Sequence, residues 1–291
     1  MPDGFAGDPA ATHKKSSVTL QMLQKTYSIY SEDLNDVQLF IEAGMRHIAC
    51  WCKKRADNIL RAFEFFQYND LSSLDFEELI DNARLRSRLL AMPVTGTIFF
   101  WNTDEALCIP NGKNEAAFLQ QNFELLRGSL PSSALFSAQA GPCTVAWRIE
   151  ADKQEIAAKC FTGATFTHNF TALLALLKHT EETRIYLFFY PRYFTICLFR
   201  EGRLNYLNTV EYTTPEDVLY FVLNVCRQYA VADTVAIQCG GFINNASKLY
   251  ETLYQYLEGF QLMQVDETLF AGDEFKEYPG HYFVPYINYI V

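Results

Sequence analysis

Hydrophobic and aromatic residues in the second half of the chain form three consecutive runs separated by short turns. The runs cover residues 184–190, 193–200 and 203–211. The first is almost continuously apolar, which is typical of a buried strand, and the turns at Pro191-Arg192 and Glu201-Gly202 are short enough for β-hairpins. We therefore predict an antiparallel meander of three strands.

After the meander the periodicity becomes helical. Thr214 suits an N-cap, Pro215 suits the first helical position, and Glu216 and Asp217 lie where the helix dipole favours acids. This helix should end near Tyr229. The order β-β-β-α-β-α-β is completed by a strand over residues 234–239, a helix over 246–257 and a strand over 261–265.

The first half repeats this order with different spacings. Its strands are predicted over residues 37–42, 47–53, 59–67, 96–101 and 143–149, and its helices over 75–90, 114–126 and 152–160. A meander followed by helix, strand, helix and strand is the ribonuclease H-like unit, and two such units form the plan of the actin-like ATPase superfamily. We predict a mixed α/β fold with a flexible tail at 1–26, a first lobe at 27–165 and a second lobe at 166–291.

Composition and charge exclude several classes of partner. The 24 Lys and Arg residues are outnumbered by 34 Asp and Glu residues, which gives a formal net charge of −10. Nucleic acids and anionic membranes are bound mainly through basic surfaces, so we expect neither as a partner. The first residues lack the apolar core of a secretory signal, and no apolar stretch is long enough for a membrane span. We therefore expect a cytoplasmic protein.

Cysteine and histidine positions do not predict a metal or catalytic site. None of the eight cysteines lies in a C-x-x-C pair, and most lie in apolar runs, as expected for buried reduced thiols. Cys50 and Cys52 share one face of a strand, with only His47 nearby, whereas zinc needs three or four ligands. For His168 we expect a structural setting at a helix start capped by Thr167 or Asn169.

Several segments resemble a bacterial family catalogued as domain of unknown function 3822. They are Leu207–Tyr212, Thr214–Tyr220, Phe161–Phe166 leading to His168, Leu107–Pro110 and Gly280–Phe283. The resemblance covers nearly the whole chain and is sharpest in the second half. It implies a cytoplasmic bacterial protein with an actin-like ATPase fold and no assigned activity.

Actin-like ATPases bind phosphate on two hairpins, one per lobe, each typically with an Asp and a small Gly-rich turn. In the first lobe Glu42 and Gly44 loosely match this pattern. The second-lobe hairpin, Tyr190–Tyr193, has neither Gly nor Asp, and Pro191 removes a backbone donor. Gly240 and Gly241 lie where the superfamily places its adenosine-binding turn, although glycines at a strand end are also ordinary turn residues.

These observations favour a non-catalytic binding or scaffold module with a degenerate nucleotide site, a pseudo-ATPase. The alternative is an ATP-binding ATPase or small-molecule kinase. We expect no catalytic residue, no metal ligand and no cofactor; if the site survives, Mg-ATP would be held by Glu42, Gly44, Gly240 and Gly241. A protein partner or self-association is the expected mode of action. The aromatic C-terminus, from Tyr278 to Tyr289, either packs on the second lobe or forms an interface.

Overall fold

The computed structural model describes residues 23–68, 75–113, 115–141, 143–177, 181–232 and 234–287. Three β-sheets organise this part of the chain, with six, five and three strands. The strands are β1 (Gln24–Tyr30), β2 (Val37–Gly44), β3 (His47–Lys54), β4 (Leu60–Gln67), β5 (Thr97–Asn102), β6 (Ala106–Pro110), β7 (Ser133–Ala140), β8 (Cys143–Glu150), β9 (Thr165–His168), β10 (Arg184–Tyr190), β11 (Tyr193–Arg200), β12 (Arg203–Glu211), β13 (Ala236–Gly241) and β14 (Phe260–Leu262).

Helices and short 3₁₀ turns connect the strands. The α-helices are α1 (Phe76–Arg86), α2 (Ala116–Arg127), α3 (Ala151–Cys160), α4 (Asn169–Leu176), α5 (Pro215–Gln228), α6 (Lys248–Tyr256) and α7 (Val284–Ile287). The 3₁₀ turns are Leu89–Ala91, Glu267–Leu269, Asp273–Glu277 and Gly280–Phe283. No described helix combines the length and the apolar composition that crossing a bilayer requires.

The six-stranded first sheet has the order β1-β4-β3-β2-β5-β9. Strands β2, β3 and β4 form an antiparallel meander, β5 pairs in parallel with β2, and β9 pairs in parallel with β5. The five-stranded second sheet has the order β12-β11-β10-β13-β14. Its first two pairs are antiparallel and its last two are parallel, as at the corresponding positions of the first sheet. Both sheets therefore contain the predicted ribonuclease H-like strand order, and we call their surroundings the first and second lobes.

The start of α5 follows directly from its sequence. The Thr214 side chain accepts a hydrogen bond from the Asp217 backbone N–H, and the Asp217 side chain accepts one from the Thr214 N–H in return. Pro215 stands at the first turn, where its missing N–H costs nothing. The predicted N-cap is confirmed, and this reciprocal pair satisfies donors that a helix start otherwise leaves unpaired.

Several strands of the first lobe differ from the sequence predictions. Strand β8, predicted as the fifth strand of the first sheet, lies in the three-stranded small sheet, whose order is β6-β8-β7. The fifth strand is β9 instead, so the first sheet extends past the boundary expected at residue 165. Strand β1 begins at Gln24, inside the tail predicted over residues 1–26, and pairs with β4. Strand β9 has only four residues, which is too short a pattern to be detected from sequence, and β1 is an edge strand whose residues are mostly exposed or half-buried.

The two lobes share one hydrophobic core. One face of the second sheet packs against α5 and α6 and forms a core of its own. The other face contributes to the same cluster as the first sheet, through Tyr186, Phe188, Tyr190, Tyr193, Cys197 and Phe199. Side chains of the two lobes are therefore in direct apolar contact.

Candidate functional site between the two lobes

The candidate carboxylate Glu42 lies at the end of β2 and is 2% exposed. One carboxylate oxygen accepts a hydrogen bond from His47 Nε2 at 2.7 Å, and the other accepts one from the side-chain amide of Asn169. His47 is itself fully buried at the start of β3. Both oxygens of the predicted site residue are thus held by donors from the protein.

The second-lobe hairpin closes directly onto this carboxylate. The His47 ring stacks on Tyr190 with centroids 5.4 Å apart, and Tyr190 stacks on Tyr193 at 4.8 Å. Tyr193 OH donates to His47 Nδ1 at 3.2 Å, which the hydrogen bond from Nε2 to Glu42 leaves as the acceptor. Burial and the nearby Glu42 raise the pKa of both tyrosines well above their usual value, so both hydroxyls are neutral at physiological pH.

Asn169 joins the two lobes. It is the first residue of α4, is 1% exposed, and its side-chain amide donates to Glu42 and, at 2.8 Å, to Tyr190 OH. Asn102 is also fully buried, opposite Gly44 in the parallel pairing of β2 with β5. Sequence reasoning identified neither residue as part of the site. Asn102 ends β5 and Asn169 directly follows β9, and the pairing of β2 with β5 and of β5 with β9 brings both residues beside the first hairpin.

Gly44 is needed for close packing between the hairpins. A Cβ added to Gly44 would lie 2.3 Å from His47 Cε1 and 2.5 Å from Tyr193 OH. The Gly44 carbonyl also accepts a hydrogen bond from the fully buried Tyr68 hydroxyl. The turn does require a small residue, as the sequence indicated. The reason is that the His47 and Tyr193 side chains of the two lobes pack against Gly44.

The glycine pair at the end of β13 is covered by the C-terminal segment of the described chain, residues 280–287. A Cβ added to Gly240 would lie 2.9 Å from Val284 Cβ, and one on Gly241 would lie 2.2 Å from the Phe189 carbonyl oxygen. Gly241 also has φ +83°, which favours glycine. His281 Nε2 donates to the Ile243 carbonyl at 2.8 Å and fixes this segment to the second lobe.

The same segment reaches the first sheet. Tyr286 is fully buried, with its ring centroid 5.0 Å from that of Trp51 and 4.9 Å from that of Phe63. The Nζ group of Lys53, which is 2% exposed, donates to the Ile287 carbonyl. The segment therefore lies between the two lobes. Tyr282, Phe283 and Tyr286 are buried there rather than on the second lobe alone, and Tyr289 falls outside the described residues.

A solvent-open pocket of about 330 Å³ lies beside the first hairpin. Its lining includes Gly44, Arg46, Arg148 and Glu211. The charged groups pair with one another: Arg46 contacts Glu211 of the second lobe at 3.2 Å, and Arg148 contacts Glu105 at 2.6 Å. Both arginines of the lining are therefore paired with carboxylates.

The remaining candidates, His168, Cys50 and Cys52, are fully buried. His168 itself caps α4, accepting the Phe170 N–H on Nδ1, so the expected cap by Thr167 or Asn169 is wrong. Burial lowers the pKa of His168 to about 3, which keeps its ring neutral. Cys50 and Cys52 are buried thiols. Within the described ranges no three His, Cys, Asp or Glu residues are grouped so as to hold a metal ion.

Two solved structures have the same fold. A Bacteroides thetaiotaomicron protein with actin-like ATPase fold and unknown function has a TM-score of 0.67 at 15% identity, covering 78% of this chain and 91% of that chain. The PilM-PilN type IV pilus biogenesis complex has a TM-score of 0.55 at 10% identity, covering 85% of this chain and 96% of that chain. No curated protein matches in sequence. Identities this low show the fold alone, which is that of the actin-like ATPases.

The sequence itself matches a family model across most of its length. The model is described as Protein of unknown function (DUF3822), and the match covers residues 25–260. That span includes the three-stranded meanders of both lobes, the small sheet, both hairpins and the glycine turn. The chain therefore belongs to the DUF3822 family.

Proposed function

We propose that this actin-like protein is a non-catalytic binding or scaffold protein whose interlobe space is filled by its own side chains in place of a nucleotide. The observation that carries the proposal is the contact of Val284 with Gly240, which puts the C-terminal segment on the candidate adenosine turn. The proposal extends to Glu42, Gly44, Gly240 and Gly241, which act in packing and not in nucleotide binding.

The phosphate side of the site supports the same conclusion. A phosphate-binding hairpin needs free backbone N–H groups and an Asp that can organise hydrated Mg²⁺. Here the corresponding carboxylate, Glu42, is bonded to His47 and Asn169, and Tyr190 and Tyr193 stack against the first hairpin. For Glu42 to organise a hydrated Mg²⁺, it would have to lose both of these donors.

The alternative, an ATPase or small-molecule kinase, requires an open form of the molecule. In that form residues 280–287 leave the glycine turn and the two lobes separate along their shared core. Opening would expose Trp51, Phe63 and Tyr286, each of which is at most 2% exposed. Nothing in the described contacts favours such a form, because burial of aromatic surface stabilises the closed one.

A nucleotide titration tests the proposal. The melting temperature of the purified chain should stay constant on addition of Mg²⁺ with ATP, ADP or GTP, and phosphate release from ATP should stay at the level of a blank. Mg²⁺ alone is the control. A saturable rise in melting temperature, or steady turnover, that disappears in the isosteric variant Glu42→Gln would contradict the proposal, because bound ligand stabilises the folded state by mass action.

We further propose that the protein acts by binding another protein. The support is the fold shared with PilM of the PilM-PilN type IV pilus biogenesis complex, together with a net charge of −10 that disfavours polyanions. In-cell crosslinking should identify a partner, which as a purified protein must bind the purified chain with a measurable Kd. If every crosslinked candidate fails to bind in purified form, the proposed mode of action is wrong.

A further inference from the structure

The small sheet places two thiols side by side on adjacent strands. Cys108 lies in β6 and Cys143 begins β8, and the antiparallel register pairs Cys108 with Val145 and Pro110 with Cys143. Residues two apart on a strand share a face, so the two thiols are diagonal neighbours on the same face of the sheet. Their side chains are close enough for each thiol to affect the pKa of the other.

The surroundings of the pair differ from those of the other cysteines. The opposite face of the small sheet packs on α2 through Leu119 and Phe123. The thiol face is directed to the second lobe, where the fully buried Cys197 of β11 is close enough to interact electrostatically with Cys143. Cys143 keeps 9% of its surface exposed and Cys108 is half-buried, so a small oxidant can reach the pair.

We propose that Cys108 and Cys143 are a redox-sensitive pair that forms a disulfide when the protein meets a peroxide. The Cys143 thiolate attacks one peroxide oxygen and becomes a sulfenic acid, and the other oxygen leaves as water after taking up a proton. The Cys108 sulfur then attacks the Cys143 sulfur, forming the S–S bond and releasing the sulfenic oxygen as a second water. Overall, two thiols and one hydrogen peroxide give one disulfide and two waters.

The order of the two cysteines follows from their pKa values. Interaction with the Cys108 side chain lowers the pKa of Cys143 to about 7, whereas interaction with Cys143 and burial raise the pKa of Cys108. A thiol whose pKa is near the ambient pH is an effective nucleophile. Cys143 is therefore the attacking residue and Cys108 the resolving residue.

Peptide mapping of the full-length chain tests the pair directly. The reduced protein is treated with hydrogen peroxide, its remaining thiols are alkylated, and it is digested with trypsin without reduction. Cleavage gives peptides 89–113 and 128–148, which each contain one cysteine, Cys108 and Cys143 respectively. The expected product is the disulfide-linked pair of these peptides, absent before oxidation and lost on reduction.

Variants separate the two roles. Cys108→Ser should leave a sulfenic acid at Cys143 that reacts with dimedone, whereas Cys143→Ser should prevent both the link and the dimedone adduct. Cys160→Ser is the control, because Cys160 is partly exposed and its pKa is raised by burial; it should leave the link intact. If oxidised wild-type protein carries sulfinic acid at Cys143, or is joined between chains, and the linked peptides are missing, the proposal is wrong.

Discussion

At the scale of single residues, the interlobe site is a network of buried polar groups joined by hydrogen bonds. Glu42, His47, Asn169, Tyr190 and Tyr193 are each at most 2% exposed and are connected by hydrogen bonds across the two lobes. An unpaired buried polar group lowers the free energy of unfolding. Removal of one member should therefore destabilise the protein by leaving its hydrogen-bond partners unpaired. The residues that sequence analysis assigned to phosphate binding are best tested as packing residues.

Gly44→Ala should destabilise the protein in the absence of any ligand. Its new Cβ would lie 2.3 Å from His47 Cε1, and overpacking of a buried site costs about 1–3 kcal/mol in the free energy of unfolding. Gly96→Ala is the matched control, because the nearest atom to its Cβ, Gln38 Nε2, is 3.9 Å away. Urea unfolding measures both. Equal stabilities for the two variants would show that Gly44 is not required for packing.

Lys53 should make stability depend on pH. Burial lowers its pKa from 10.5 to about 7, so between these values the unfolded chain binds a proton that the folded chain does not. The contribution of Lys53 to the free energy of unfolding is therefore greatest above pH 10.5 and decreases as the pH falls to 7.

Comparison with Lys53→Met isolates this effect. Wild-type stability relative to Lys53→Met should rise between pH 7 and 10 with a slope of up to about 1.4 kcal/mol per pH unit. Lys54→Met, at the adjacent and partly exposed lysine, is the control. Urea unfolding at several pH values provides the measurement. A difference between wild type and Lys53→Met that does not change with pH would contradict the depressed pKa.

At the scale of elements, the C-terminal segment 280–287 is the piece that completes the fold. It contacts the glycine turn of β13 through Val284 and the first sheet through Tyr286. Aromatic rings between two sheets bury large areas on both sides, which explains why so short a helix is stable there.

Tyr286→Ala should therefore be among the most destabilising substitutions in the chain. Loss of a fully buried aromatic side chain costs roughly 3–5 kcal/mol. Tyr256→Ala in α6 is the matched control, because Tyr256 is 60% exposed. Thermal unfolding should show a clear fall in melting temperature for the first variant and little change for the second. Similar melting temperatures would place Tyr286 outside the core.

Sequence patterns predicted elements well where local chemistry defines them. The meander β10–β12, the Glu201-Gly202 turn with two positive φ angles and the capping box of α5 all follow from nearby residues. Membership in a sheet is not local: β8 has the apolar pattern of a buried strand, but that pattern is the same in any sheet. The candidate site was predicted only at its turn residues, because Asn102 and Asn169 reach it through tertiary contacts.

At the scale of the whole molecule, the two lobes depend on each other. The second sheet presents Tyr186, Phe188, Tyr190 and Phe199 to a core that it shares with the first sheet. Arg46 and Glu211 add an ion pair between the lobes at 3.2 Å, although partly exposed pairs contribute little. The two lobes have similar strand topology, but each lobe buries side chains of the other.

A chain limited to residues 181–287 should therefore not fold by itself. One face of its sheet would expose the aromatic side chains that the first lobe covers, and α7 would lose Trp51 and Phe63. Circular dichroism during heating should show no cooperative transition, in contrast to the full-length chain. A sharp transition with native-like helix content would establish the second lobe as an autonomous domain.

The central claim, that the protein's own C-terminal segment and hairpins fill the interlobe space, is tested most directly by hydrogen–deuterium exchange with and without Mg²⁺ and ATP. The account predicts slow exchange at residues 42–44, 240–243 and 280–287, unchanged by the nucleotide, because most of these residues are buried. Nucleotide-dependent protection at Gly240 and Gly241, accompanied by faster exchange at 280–287, would contradict it by showing that ATP displaces the segment.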